Sequence, residues 1–553
     1  MRLLFFLVFA AGNLLAQLGD DKVHFTEADS LRGSLRPERT SFDVLHYHLD
    51  ITVDPDKQFV SGTNTMTFRV VEPTSRIQVD LFENMALEKI LYKNKPLKFE
   101  RKFGAVFIEF PSPLKTASTE KVVLYFSGNP IVAVRPPWDG GFIWTKDKEG
   151  NPWVAVACQG TGASLWWPNK DHQADEVDSM LISVTVPKGL MNVSNGRFRG
   201  SKTFKDGSSR WDWGVTYPIN NYNVTVNIGK FAHFSDMYND LSLDYYVMPE
   251  DLDKAKEQFK QVKPMMECFE KRFGPYPFKH DGYKLVQSPH LGMEHQSAVA
   301  YGNKYLNGYL GSWSSPEGIL FDFIIIHESA HEWWGNSVTS KDLADMWIHE
   351  GFGAYAEAVY VECQWGYEAG QRYQNGKKQD VRFDKPIIGP YDVNQEGSGD
   401  MYAKGSFMLN TLRHAIGNDQ LWFDILKGIH ETYKYKTIHT DTIVNFVNRK
   451  TGKDWTSFFD QYLKHIDIPT LNLTIIRKGK ETKLFYKWQA DVENFDMPVR
   501  ISTKPGTFQT ILPTTKSQTL VLGDVNPEDI EADESGFFIH VKKRMMYQDE
   551  KVK

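Results

Sequence analysis

Residues 46–53 (HYHLDITV) and 61–70 (SGTNTMTFRV) alternate apolar and polar positions and carry β-branched side chains, with Asp54-Pro55-Asp56 between them. A period of two sends successive side chains to opposite faces, the mark of a half-buried strand, and the Asp-Pro-Asp step supplies the turn. Similar runs recur to about residue 231, for example 122–126 (VVLYF) and 222–228 (YNVTVNI). Roughly 200 residues of strands at this spacing predict an all-β region, a saddle or sandwich of sheets.

Near Pro249 the period changes. Pro249-Glu250-Asp251 opens a helical stretch ending near Phe273-Gly274-Pro275, and further helices are expected over 319–334, 343–361, 401–416, 420–433, 440–448 and 455–465. From Pro469 the pattern reverts to strands, at 471–476 and 484–488. The expected fold is therefore α+β and multidomain: an N-terminal all-β domain over 17–234, a mainly helical domain over 235–466 and a small C-terminal β-sandwich over 467–553. A chain of 553 residues is too long for one core and suits about three domains.

Residues 1–16 stand apart. Arg2 forms a positive start, residues 3–11 are apolar, and Ala16 offers a small residue at a cleavage point. That is the layout of a cleavable signal peptide, so the mature protein is expected to be secreted or periplasmic. No later run reaches the ~18 apolar residues of a membrane-spanning helix. A net charge of -6 without long basic runs argues against nucleic acid as a partner. Cys158, Cys268 and Cys363 are odd in number, so at most one disulfide can form; they are read as three buried thiols. Asn192, Asn223 and Asn472 lie in glycosylation sequons.

The chemistry sits in the middle of the chain. His327-Glu328-Ser329-Ala330-His331 is H-E-x-x-H within an apolar helical segment. Histidines at i and i+4 share a helical face and can reach one ion, with Glu328 beside them as a general base toward water. Catalytic zinc takes three protein ligands and keeps one position open. Glu350, 19 positions after His331 and on the next expected helix, is placed to be the third. Its neighbour His349 points about 100° away and is read as a bystander. Glu357 shares Glu350's face and is a candidate to orient a ligand histidine.

These residues resemble the zinc aminopeptidases of peptidase family M1, whose pattern is H-E-x-x-H, eighteen residues, then Glu. Leu291-Gly292-Met293-Glu294-His295 stands where that family carries G-x-M-E-N, Tyr402-Ala403-Lys404-Gly405 is similar to Y-E-K-G, and Cys158-Gln159 is similar to the strand whose Gln or Glu reaches the substrate amine. The resemblance implies a thermolysin-like catalytic domain and one Zn2+ per chain on His327, His331 and Glu350. It implies peptide substrates with a free N-terminus, with Glu294 and Gln159 binding the amine and Gly292 and Met293 meeting the substrate backbone. Glu328 would be the base and Tyr402 the oxyanion donor. Leu291, His295 and Ala403 depart from the family pattern; a protonated His295 is expected to compete for Glu294's charge at low pH. A bifunctional peptidase and epoxide hydrolase, a non-catalytic peptide-binding scaffold, and an endopeptidase without amine recognition are the competing readings.

Overall fold

The computed structural model describes residues 24–504 and 506–548. The expected signal peptide lies outside the described residues. The N-terminal region is built on an eight-stranded sheet whose central strands, Phe42–Asp54 and Phe59–Val70, pair antiparallel around the Asp54-Pro55-Asp56 turn. Phe42–Asp54 also pairs parallel with Met180–Val186. Alternate residues such as Leu49, Ile51 and Val53 enter a continuous core shared with a three-stranded and a four-stranded sheet. The four-stranded sheet matters for function, because its strand Pro152–Ala157 leads directly to Gln159.

A five-stranded mixed sheet opens the next region. It runs Ala232–Tyr238, Leu241–Val247, Tyr283–Gln287, Val299–Tyr301 and, at one edge, Gly292–Met293. The first of these strands crosses residue 235, so the catalytic sheet begins within the segment joining the two regions. Helices pack on this sheet. Two of them, Phe323–Ala330 with His331 as its C-terminal cap and Trp347–Trp365, carry the H-E-x-x-H pair and Glu350. The first is shorter than the apolar pattern suggests: the Asp322 side chain caps it by accepting from the Ile324 and Ile325 amides. A capping carboxylate stops the helix from running back into the preceding apolar residues. The helix Tyr367–Gly376 was not expected from the pattern.

Residues from 470 onward form a four-stranded and a three-stranded sheet, with Thr470–Lys478 between Glu481–Gln489 and His540–Gln548. Their apolar faces, including Leu471, Trp488 and Ile501, join the same core as the helices.

Two expectations change. Cys268 and Cys363 form a disulfide, with 6.0 Å between Cα atoms, instead of standing as free thiols; only Cys158 is free and buried. The pairing ties Val262–Phe273 to the end of Trp347–Trp365, and a separation of 95 residues hid that proximity from the sequence. The Asn192 and Asn223 side chains are fully buried, so a glycan has no access to either.

Candidate metal and amine-binding site

The two helices bring three donor atoms together. Glu350 Oε2 lies 3.5 Å from His327 Nε2 and 3.5 Å from His331 Nε2, and the two nitrogens are 3.3 Å apart. Ligands about 2 Å from a common centre in tetrahedral array are separated by about this much. All three residues are buried, and Glu350 Oε2 finds no hydrogen-bond partner. A buried, unsatisfied carboxylate oxygen facing two imidazole nitrogens fits a zinc ion in charge, donor type and spacing.

Both rings are oriented from behind. His327 Nδ1 is 2.7 Å from Glu357 Oε1, and Glu357 in turn accepts from Tyr373 (2.7 Å) and from the Lys377 ammonium (3.2 Å). His331 Nδ1 lies 2.9 Å from the Trp334 carbonyl oxygen. Such partners leave each Nε2 lone pair for an ion. His349 turns away: the Ser340 amide donates to its Nε2 at 2.9 Å, and burial depresses its pKa to about 3.

Glu328 lies in the same cavity, its carboxyl pushed up to about 7 by burial, with Glu294's charge adding to the effect and His327 opposing it. Gly292 makes room for it, since a Cβ there would stand 2.7 Å from Glu328 Oε1. Tyr402, the residue before helix Ala403–Ile416, lines the cavity with its ring 6.1 Å from that of His327. Its helix approaches closely because Gly405 meets Gly351: a Cβ on Gly405 would lie 3.2 Å from Gly351 Cα. Burial holds the phenol well above its ordinary pKa, so it keeps its proton.

Glu294 follows the edge strand Gly292–Met293. Its Oε1 accepts from Gln159 Nε2 at 2.6 Å and from the Tyr222 hydroxyl at 3.0 Å, and Gln159 also donates to Glu350 Oε1 at 3.0 Å. The turn after Glu294 is held from two sides. The Ser297 amide donates to Glu332 at 2.9 Å, and Asn336 donates to the Glu294 carbonyl oxygen at 2.8 Å. Asn223, from the N-terminal region, donates to Asn336 at 2.9 Å. Ser297 sits at φ 55°, a left-handed conformation that such bonds sustain.

The cavity holding these groups has a volume of about 410 Å³. Every residue expected at the site borders it except His349 and His295. His295 corrects an expectation: it is fully buried, and burial beside His290 keeps its pKa well below the usual value, so it stays neutral and does not compete for Glu294 near pH 6. Tyr222, Asn336, Glu332, Lys377 and Glu396 were given no role at the site from the sequence. Only Glu332 and Asn336 carried a signal, lying just beyond the second histidine.

Residues 257–462 match the model of the peptidase family M1 domain. The chain is 22% identical over 560 aligned residues to Aminopeptidase 2 of Candida albicans, covering 95% of this chain and 59% of that protein. It is 24% identical to human Aminopeptidase B, covering 73% of this chain and 66% of that protein. The chain thus spans about three fifths to two thirds of these relatives. A crystal structure of an M1 zinc metallopeptidase from Deinococcus radiodurans, bound to a Tyr-Ser-Ala substrate, superposes with a TM-score of 0.64 at 20% identity, covering 77% of this chain and 95% of that one.

Proposed function

We propose that this chain, which carries a peptidase family M1 domain, is a zinc-dependent aminopeptidase that removes N-terminal residues from peptides. One observation carries the reading: a closed donor triad for a metal and a carboxylate free to take a cation open into the same cavity. His327, His331 and Glu350 would hold the zinc. A zinc ion there supplies Lewis acidity toward the scissile carbonyl and makes water more acidic.

The chain's own groups do the rest. Glu294, steadied by Gln159 and Tyr222, has its second oxygen left for the substrate's α-ammonium. That contact sets the first peptide bond, and no later one, beside Glu328. Glu328 takes a proton from the attacking water and delivers it to the departing amine nitrogen. Tyr402 keeps its proton and donates a hydrogen bond to the oxygen that gains charge as the carbonyl carbon becomes tetrahedral. Met293 and Gly292 present an extended backbone edge against which a substrate main chain can lie.

We also infer a site of action outside the cytoplasm. The charged start and apolar run of residues 1–11 support it, and so does the Cys268–Cys363 disulfide, which suits an oxidising compartment. Among the described residues no helix is long and apolar enough to cross a membrane.

The test is hydrolysis of matched peptides with free and N-acetylated termini, alongside zinc analysis. Rapid cleavage of the free peptides alone, with about one zinc per chain, is the expected result. Equal cleavage of both would leave a zinc peptidase without amine recognition.

A further inference from the structure

Three carboxylates gather around the Gln159-Gly160 step, and only two have a partner in the chemistry above. Glu350 faces the metal and Glu294 the α-ammonium. Elsewhere in the lining, Glu357 is paired with Lys377. Among the described residues Glu396 has neither a side-chain hydrogen bond nor an ion pair. Its carboxyl is pushed up to about 7 by burial, then by the charges of Glu350 and Glu294, while Lys385 only partly offsets them.

Its position is fixed by its loop. The Asn394 side chain donates to the Gly160 carbonyl oxygen at 3.3 Å, the Gly389 amide to Ala344 O at 3.0 Å and the Ser398 amide to Pro386 O at 2.9 Å. A Cβ on Gly397 would clash with the Ile387 carbonyl, so this turn tolerates no side chain there. Glu396 thereby lies over Gly160, where an added Cβ would come within 3.1 Å of its Oε1, beside the amine-binding Gln159. Trp313 packs on Phe323 at 4.9 Å and Phe323 on His327 at 5.1 Å, while Trp138 and Tyr402 also line the cavity.

A substrate held at its ammonium by Glu294 and at its carbonyl between the donor triad and Tyr402 has its first Cα between those points. Its first side chain must leave toward the remaining wall. Glu396 stands there, close enough for its charge to act on Tyr402 as well. A half-buried carboxylate among like charges is stabilised when a cation joins it. With the metal and the α-ammonium both in place, a cationic first side chain is the substrate group left to meet it; Arg382 also lines the cavity but forms no ion pair with Glu396 among the described residues.

We propose that Glu396 is a specificity residue that selects peptides whose N-terminal residue carries a cationic side chain, lysine or arginine. The proposal rests on the aminopeptidase reading and deepens it.

The comparison to make is lysine or arginine against norleucine, which matches the lysine stem without its charge. Binding of Lys-Ala, Arg-Ala and norleucyl-Ala to E328Q is measured by calorimetry, and kcat/KM on the three aminoacyl amides is measured with wild type. Lys and Arg should exceed norleucine by about ten-fold or more, the scale of one partly desolvated ion pair. In E396Q, and in E328Q/E396Q for binding, the ratio should fall close to one; E396D, which keeps the charge, should restore most of it. A wild-type ratio at or below one overturns the proposal. So does an E396Q variant in which all three substrates weaken together, because Glu396 would then act on the α-ammonium. If no free-amine substrate is hydrolysed while Lys-Ala still binds E328Q more tightly than norleucyl-Ala, the aminopeptidase reading fails and the charge selection stands.

Discussion

The two ends of the cavity are built in different ways. The metal end comes from one short stretch of chain: two neighbouring helices present His327, Glu328, His331 and Glu350, and their spacing alone brings the donors within 3.5 Å of one another. The amine end is assembled from distant segments. Glu294 meets Gln159 across 135 positions and Tyr222 across 72, and both partners come from the N-terminal β region. Chemistry is thus encoded locally, whereas selection of the first residue depends on how two regions dock. Changes at the metal end should remove turnover, and changes at the amine end should remove discrimination.

The largest effect should come from Glu328→Gln. The amide cannot accept the water's proton, so kcat should fall by roughly 10²–10⁴-fold while zinc content, measured by elemental analysis, stays near one per chain. Near-normal kcat would remove Glu328 from the mechanism. Tyr402→Phe should follow, with kcat lower by roughly 10²–10³-fold and KM little changed. A change confined to KM would instead make Tyr402 a binding residue.

At the amine end, Glu294→Ala and substrate N-acetylation should each weaken kcat/KM strongly, yet cost little more together than either alone, because both remove one ion pair. Full additivity would mean that Glu294 does not touch the ammonium. Outside the cavity lining, the Cys268–Cys363 disulfide anchors the far end of the Glu350 helix. Cys363→Ser should lower unfolding stability by roughly 2–5 kcal/mol, read from denaturant curves of the two proteins without reductant. An unchanged midpoint would show that the cross-link adds nothing to the stability of that helix.

The smallest effect tests the docking itself. Glu176, from the N-terminal region, accepts from Thr339 of the catalytic region at 2.5 Å; its other carboxylate oxygen is enclosed without a partner. Burial raises its pKa from 4.5 to about 8. A folded-state pKa above the unfolded one favours the protonated fold, so this contribution is full below about pH 4.5 and is lost as pH rises through about 8. Glu176→Gln should therefore gain stability over wild type as pH rises from 5 to 9. A difference that does not vary with pH would mean that the carboxyl is not desolvated at the interface.

Much was legible before the fold was known. The change from period two to helical spacing near Pro249 and back near Pro469 marked the order of β, helical and β regions, because amphipathic periodicity is a local property of the chain. The metal end was equally open to reading: i, i+4 geometry on one helix and a glutamate on the next need no knowledge of the rest. Glu294, Gln159 and Tyr402 were reached only through resemblance to a family, since a lone glutamate, glutamine or tyrosine carries no signal of its own. Tertiary structure alone decided what depended on distant approach. It paired Cys268 with Cys363, buried two sequons and kept His295 neutral. It also set Tyr222 behind Glu294 and left Glu396 unpaired beside Gly160. Each of these depends on which distant segments pack together and exclude water, and no short window of sequence contains that information.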